Sequence, residues 1–372
     1  MSKIRLSDVP GTPLPSPKKA QGGQRFLQMP HGKATDAMAQ MNSRDAQINH
    51  ITESATIISN DVKLTIQKFK ELGGTLNINT HKLLSVGIAE FTTQNHIGST
   101  TQSPNLTVSI PFKEYAIRCG CDLVERETST PEEAEAEKKR IMNLEKDFKK
   151  KVKKDLDMIR ATELEWTEKI KGKSEDFMKV SIIGSRGIKG GYIHMVFDPV
   201  MASYLCRLPM TQYPVALLSL DARNSNSYSM GLKMSEYFNM DANQNTGRAD
   251  RISVLSLLAC TGIPTIEEIR SKRQGWERLI KEPFEKALDN LYKCGFLEDW
   301  QYTKAKAVPL TDEEAAAITD YETFSKLYIQ FSVKDSPDQT PRLEAKREKA
   351  AEEKKKQASK RKPRKKKGEY PA

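Results

Sequence analysis

No apolar run in this 372-residue chain approaches the about 20 residues needed to cross a bilayer. Hydrophobic residues make up only 37% of it, so a sizeable part is expected to lie outside any core. Residues 1–24, rich in Pro, Lys and Gly, lack the apolar centre of a secretory signal. No membrane contact and a cytoplasmic location are expected. The five cysteines, Cys119, Cys121, Cys206, Cys260 and Cys294, form no CxxC pair and have no closely spaced histidines beside them. That scatter reads as reduced thiols rather than a disulfide framework or a zinc site, with Cys119 and Cys121, the one close pair, explained by local packing ahead of metal. The histidines His31, His50, His81, His96 and His194 never pair at the spacing a rolling-circle nickase needs for its metal. A phosphate-binding GxxxxGK[ST] loop is missing too, so ATP-driven chemistry is not expected. No cofactor and no active site follow from these absences.

Positive charge is abundant but uneven. The formal net charge is +11, yet residues 342–372 hold 14 Lys/Arg against 5 Asp/Glu, a net +9, which leaves +2 for the rest. Any affinity of the body for a polyanion must therefore rest on local faces.

One such face lies between Lys138 and Arg160. Ile141, Leu144, Phe148, Val152, Leu156 and Ile159 recur in steps of three and four, which predicts one buried stripe on an α-helix. Lys139, Lys146, Lys150 and Lys153 project on the opposite side. Two β-rich runs follow, 177–183 and 192–197, with 184–191 read as the turn between them. Its four glycines permit positive φ, and Arg186 and Lys189 are expected to charge its tip. A lysine-faced helix followed by a basic hairpin is the order of a winged-helix DNA-binding domain.

Around this pair, apolar spacing through Ile57, Val62, Ile66 and Phe69 predicts a helix ending at Gly73-Gly74. A core helix is expected over 80–91, a strand over 106–110, a short helix from Pro111 to Gly120, and an acidic linker over 125–137. A second block begins near Pro199, with helices expected over 224–238, 252–259, 265–270 and 276–291, the last kinked or restarted at Pro283. Strands are expected over 296–303 and 327–333, separated by a helical turn at 312–317. The fold class is thus mainly α with small β wings (α+β), in two tandem winged-helix domains, 56–200 and 201–335. A poorly ordered segment, 1–55, and a disordered basic tail, 336–372, flank them. Arg248 and Arg251 in a basic loop, and Arg273, Arg278 and Lys286 in and before the long helix, are the second domain's DNA-contact candidates. Glu282, Glu285 and Asp289 share that helix and oppose phosphate.

The chain resembles bacterial plasmid replication initiators of the Gram-positive type, which carry two winged-helix domains. The resemblance rests on His81-Lys82-Leu83-Leu84, on Val108-Ser109-Ile110-Pro111-Phe112-Lys113-Glu114-Tyr115, and on Lys151-Val152-Lys153-Lys154-Asp155-Leu156 ahead of a Trp166 strand. It continues through Gly187-Ile188-Lys189-Gly190-Gly191, Ile280-Lys281-Glu282-Pro283-Phe284-Glu285-Lys286 and Val308-Pro309-Leu310-Thr311-Asp312-Glu313-Glu314. The segment 125–136 and the basic tail depart from that pattern. The resemblance implies binding to repeats in double-stranded origin DNA and help in opening the duplex for host replication enzymes; a homodimer is a separate expectation. A winged-helix transcriptional regulator of a mobile element, or a structural protein whose basic tail binds nucleic acid without sequence preference, are the rival readings.

Overall fold

The computed structural model describes residues 26–30, 32, 35, 38, 47–49, 54–59, 62–69, 71–72, 78–95, 104–170, 174–271, 275–305 and 308–334. Among them the chain is a mixed α and β protein with several small sheets. The basic tail lies outside the described residues.

Strand β1 (Phe26–Pro30) pairs antiparallel with β10 (Met210–Pro214), nearly 200 residues later, and buries Leu27 and Met29. Residues 26–30, within the segment 1–55 expected to be poorly ordered, therefore contribute to the core. Strands β2 (Gln47–Asn49), β3 (Ser54–Ser59) and β4 (Val62–Ile66) follow. A helix was expected across 57–69; the structure has a β-hairpin instead. Val62, Leu64 and Ile66 are all fully buried, alternating with exposed Lys63 and half-buried Thr65, which is the period of a strand. These strands join β6 (Thr162–Ile170) and β7 (Ser174–Ser181) in a five-stranded sheet of order β2-β3-β4-β6-β7.

Two helix–hairpin units share one topology. In the first, helix α1 (Ile78–Asn95) leads to β5 (Thr107–Pro111). The chain turns directly into α2 (Phe112–Arg118), then enters α3 (Pro131–Arg160). After β6 and β7 comes a hairpin of β8 (Ile183–Lys189) and β9 (Tyr192–Phe197). Its sheet order is β5-β9-β8. Helix α4 (Pro199–Leu205) and β10 connect to the second unit.

That unit runs α5 (Ser225–Asn239), α6 (Asp241–Thr246), β11 (Arg251–Ser253), α7 (Val254–Ala259) and α8 (Ile266–Ser271). A π-helical turn over Glu277–Lys281 feeds α9 (Glu282–Lys293), followed by β12 (Leu297–Thr303) and β13 (Tyr328–Val333). Short helices α10 (Asp312–Ala316) and α11 (Tyr321–Ser325) bridge those strands. The sheet order, β11-β13-β12, repeats the first-third-second arrangement of the other unit. Of the helix expected over 252–259, Ile252 and Ser253 belong to β11. The π turn places Pro283 just inside the first turn of α9, where its missing N–H is harmless, so the expected kink is absorbed by the backbone change before it.

Helix α3 also departs from expectation at its start. The acidic linker predicted over 125–137 ends at Thr130, and Glu132 to Glu137 form the first turns of the helix. Thr130 accepts from the Glu133 amide at 3.2 Å while the Glu133 carboxylate accepts from the Thr130 amide at 3.3 Å, and Pro131 sits at the first helical position. Acid in that first turn also complements the helix dipole.

Candidate nucleic-acid interface

The stripe predicted on α3 is the buried one. Val152, Leu156 and Ile159 are buried, while Ile141, Leu144 and Phe148 are half-buried and pack on the core. Phe148 meets Phe112 and Tyr115 of α2 edge-on or tilted, at ring separations of 5.7 and 6.0 Å. With that side fixed, Lys139, Lys146, Lys150 and Lys153 are all exposed.

The β8–β9 hairpin stands beside this face. Lys189 pairs with Tyr192 across Gly190 and Gly191, whose φ angles of 60° and 79° make a tight two-residue turn. The turn is therefore much shorter than the expected 184–191, and the strand expected at 177–183 belongs to two strands: β7, which pairs with β6, and β8. Lys189 lies next to the tip and is exposed; Arg186 lies within β8 and is half-buried, not at the tip. Its guanidinium Nε donates to Asp157 Oδ1 at 2.6 Å, and a second nitrogen of the same group contacts that oxygen. Arg186 thus ties the hairpin to α3. His194 braces the hairpin below its tip, with its Nδ1 2.9 Å from the Ser109 hydroxyl and its Nε2 3.2 Å from the Lys189 carbonyl.

Helix and hairpin enclose a groove of about 640 Å³, lined by Lys149, Lys150 and Lys153 from α3, by Arg186 and Lys189 from β8, and by one acid, Asp157. Lys149 was not singled out by the sequence, although it lies three residues after Lys146 and four before Lys153, on the same side of the helix. Its ammonium pairs with Glu145 at 2.7 Å and sits 5.4 Å from the Phe112 ring centre. Lys150 makes a looser, exposed pair with Asp147 at 3.2 Å, worth little in water. Lys153 and Lys189 make no ion pair among the described residues. Toward its N-terminus the same side of α3 carries exposed Lys139, Lys146, Asn143 and Met142, the last 62% exposed. The groove can hold a narrow, extended polyanion at one wall and present the helix to whatever lies beside it.

The second unit is built differently. Arg248 is exposed, but Arg251 donates to the Ala305 carbonyl at 3.0 Å and stacks 5.2 Å from the Tyr328 ring, so its guanidinium is already engaged in the fold. Arg278 and Lys286 are exposed on the π turn and on α9, beside exposed Glu282 and Asp289. Arg273 lies outside the described residues. Trp276 packs on Tyr321 and Phe324 at 6.0 and 5.4 Å and donates to the Thr319 carbonyl at 3.1 Å, a structural role. No group of three or more His, Cys, Asp or Glu among the described residues is placed to hold a metal. The five cysteines are free and half-buried, and burial pushes the Cys119 thiol up to about 11, away from reactivity. Among the described residues no helix is long and apolar enough to cross a membrane.

No protein-family model matches the chain, and no curated protein matches it by sequence.

Proposed function

We propose that this chain is a sequence-specific, double-stranded DNA-binding initiator of plasmid or mobile-element replication, built on two winged-helix modules and without catalysis of its own. The observation that supports DNA as partner is the groove between α3 and the β8–β9 hairpin, where five cations and one acid face an open channel. Lysines are flexible point charges, so Lys146, Lys150 and Lys153 suit phosphate oxygens better than base edges. Asn143 and Met142, exposed on the same helix, are the base-reading candidates, Asn for adenine and an apolar contact for a thymine methyl. The replication role and the recruitment of host enzymes rest on the resemblance carried by the ordered motifs from His81 to Glu314, and a cytoplasmic location on the cysteine pattern and the N-terminal composition; a homodimer is compatible with this reading.

Nuclease footprinting of the purified chain on the DNA flanking its own gene tests the binding. Protection of repeated sites is expected. A plasmid carrying only the gene and that flanking DNA tests the role: autonomous maintenance supports an initiator, and repression of a reporter without maintenance supports a regulator instead.

A further inference from the structure

Three consecutive residues of α1 reach three different parts of the molecule. The Thr80 hydroxyl donates to the Asp155 carboxylate of α3 at 2.8 Å. His81 Nδ1 lies 2.7 Å from the Tyr228 hydroxyl of α5, which is itself 3.0 Å from the Tyr213 hydroxyl of β10. The Lys82 ammonium donates to the Leu220 carbonyl, just before α5, and sits 5.8 Å from the Tyr228 ring centre. Successive helical residues fan out by about 100°, so such a trio can be buried only where a helix is enclosed all round. Helix α1 is: 14 of its 18 residues are buried.

We propose that Thr80, His81 and Lys82 form a polar junction that locks the two helix–hairpin units at one separation, so that the chain reads paired DNA sites at one spacing. The first half of this stands on the geometry alone; the second rests on the DNA reading above. Apolar surfaces tolerate small slides, whereas a buried donor that leaves its acceptor is stranded without water. The contacts therefore define register as well as adhesion. Asp155 lies on α3, the helix that faces the groove, and Tyr228 lies on α5, which packs on α9; the junction thus links the groove-facing helix of the first unit to the helices of the second. Burial lowers the Lys82 pKa to about 8, and the nearby Asp221 and Asp155 carboxylates oppose that fall. Lys82 is 1% exposed, an expensive place for a charge that only filled space.

The test measures the separation of the units directly. Dyes are installed through unnatural amino acids at exposed Met142 on α3 and exposed Tyr292 on α9 of the full chain. The native junction predicts one narrow distance distribution. Lys82→Met is expected to widen it about twofold or more while helix content by circular dichroism stays the same. Tyr228→Phe removes a single hydroxyl and is expected to widen it less; it decides the matter if Lys82→Met fails to fold. An unchanged narrow distribution in the folded variants overturns the junction. A second arm inserts about 5 bp, half a helical turn, between paired sites. Wild-type affinity should fall about tenfold and that of the variants much less, because linked modules gain affinity only when both reach their sites. If the wild-type chain ignores all DNA, the DNA reading and the spacing claim fail together, while the distance measurement still decides the junction.

Discussion

At the scale of single residues, two groups in this chain carry testable consequences. Glu90 is buried on α1 and accepts from Gln94 at 2.9 Å, and burial pushes its carboxyl up to about 7. A raised carboxyl pKa means that the folded state favours the neutral acid. Stability is therefore lost as pH rises from the ordinary range near 4.5 to about 7, and no further above it. Glu90→Gln keeps the shape and removes the ionisation. Thermal unfolding should show the variant more stable at pH 8, by on the order of 2 kcal/mol, and nearly matched to wild type at pH 4.5. A gain of equal size at both pH values would mean that packing, not charge, explains it.

Arg186 and Asp157 form the other group. Since the pair is partly exposed and lines the groove, removing only the arginine leaves a carboxylate facing the incoming phosphate. Arg186→Ala should lower DNA affinity about tenfold, and adding Asp157→Asn should recover part of that loss, with a coupling on the order of 1 kcal/mol in a double-mutant cycle. Additive losses would instead make Arg186 an independent phosphate contact. Sequence alone gave no way to see this pair, because its members lie on different elements and 29 residues apart. Nor did it reveal the buried lysine: His81-Lys82 reads as an ordinary polar start to a helix, and only the arrival of Tyr228 and Leu220 from the second unit explains its burial.

At the scale of elements, the sequence was most informative where one periodicity ran uninterrupted. The stripe of α3 and the β-rich run of β9 needed no tertiary knowledge, and both are present as predicted. The error at 54–66 came from an ambiguous pattern. Ile57, Val62, Ile66 and Phe69 mimic helical steps, while the alternation of Val62, Leu64 and Ile66 is the signal that the fold follows. Strand β1 had no local signal strong enough to define it; its partner lies on β10, and pairing across that distance is a tertiary fact. The glycine-rich stretch 184–191 is mostly strand rather than turn, since Gly190 and Gly191 suffice for the turn and the residues before them extend. That shorter hairpin makes its own prediction. Gly190 and Gly191 have positive φ and open space around them, so replacing both with valine strains the backbone without a clash. Amide exchange across β8 and β9 should accelerate and DNA affinity should fall, while the rest of the fold keeps its protection. Unchanged exchange in the hairpin would show that the turn does not hold it.

At the scale of the whole molecule, charge is divided between a body of net +2 and a terminal tract, residues 342–372, of net +9. If the groove selects the site and the tract adds only general attraction, deleting 342–372 should weaken binding to every duplex alike and flatten the dependence on salt, leaving the preferred site the same. Loss of preference in the shortened chain would move recognition out of the body. The two units also differ in a way their shared topology conceals. The first presents an open basic groove, whereas the second spends Arg251 on its own fold and sets Lys286 among acids. The first should therefore supply most of the phosphate contacts.

The central claim is that the outward face of α3 meets DNA, and charge reversal at Lys150 tests it most directly. Wild type and Lys150→Glu would be titrated, at one fixed salt concentration, against a duplex from the DNA flanking the gene and against a random duplex. The account predicts a marked loss of affinity for both duplexes with little change in their ratio, because a lysine here anchors phosphate rather than reading bases. Affinities equal to wild type on both duplexes would mean that this helix does not face DNA.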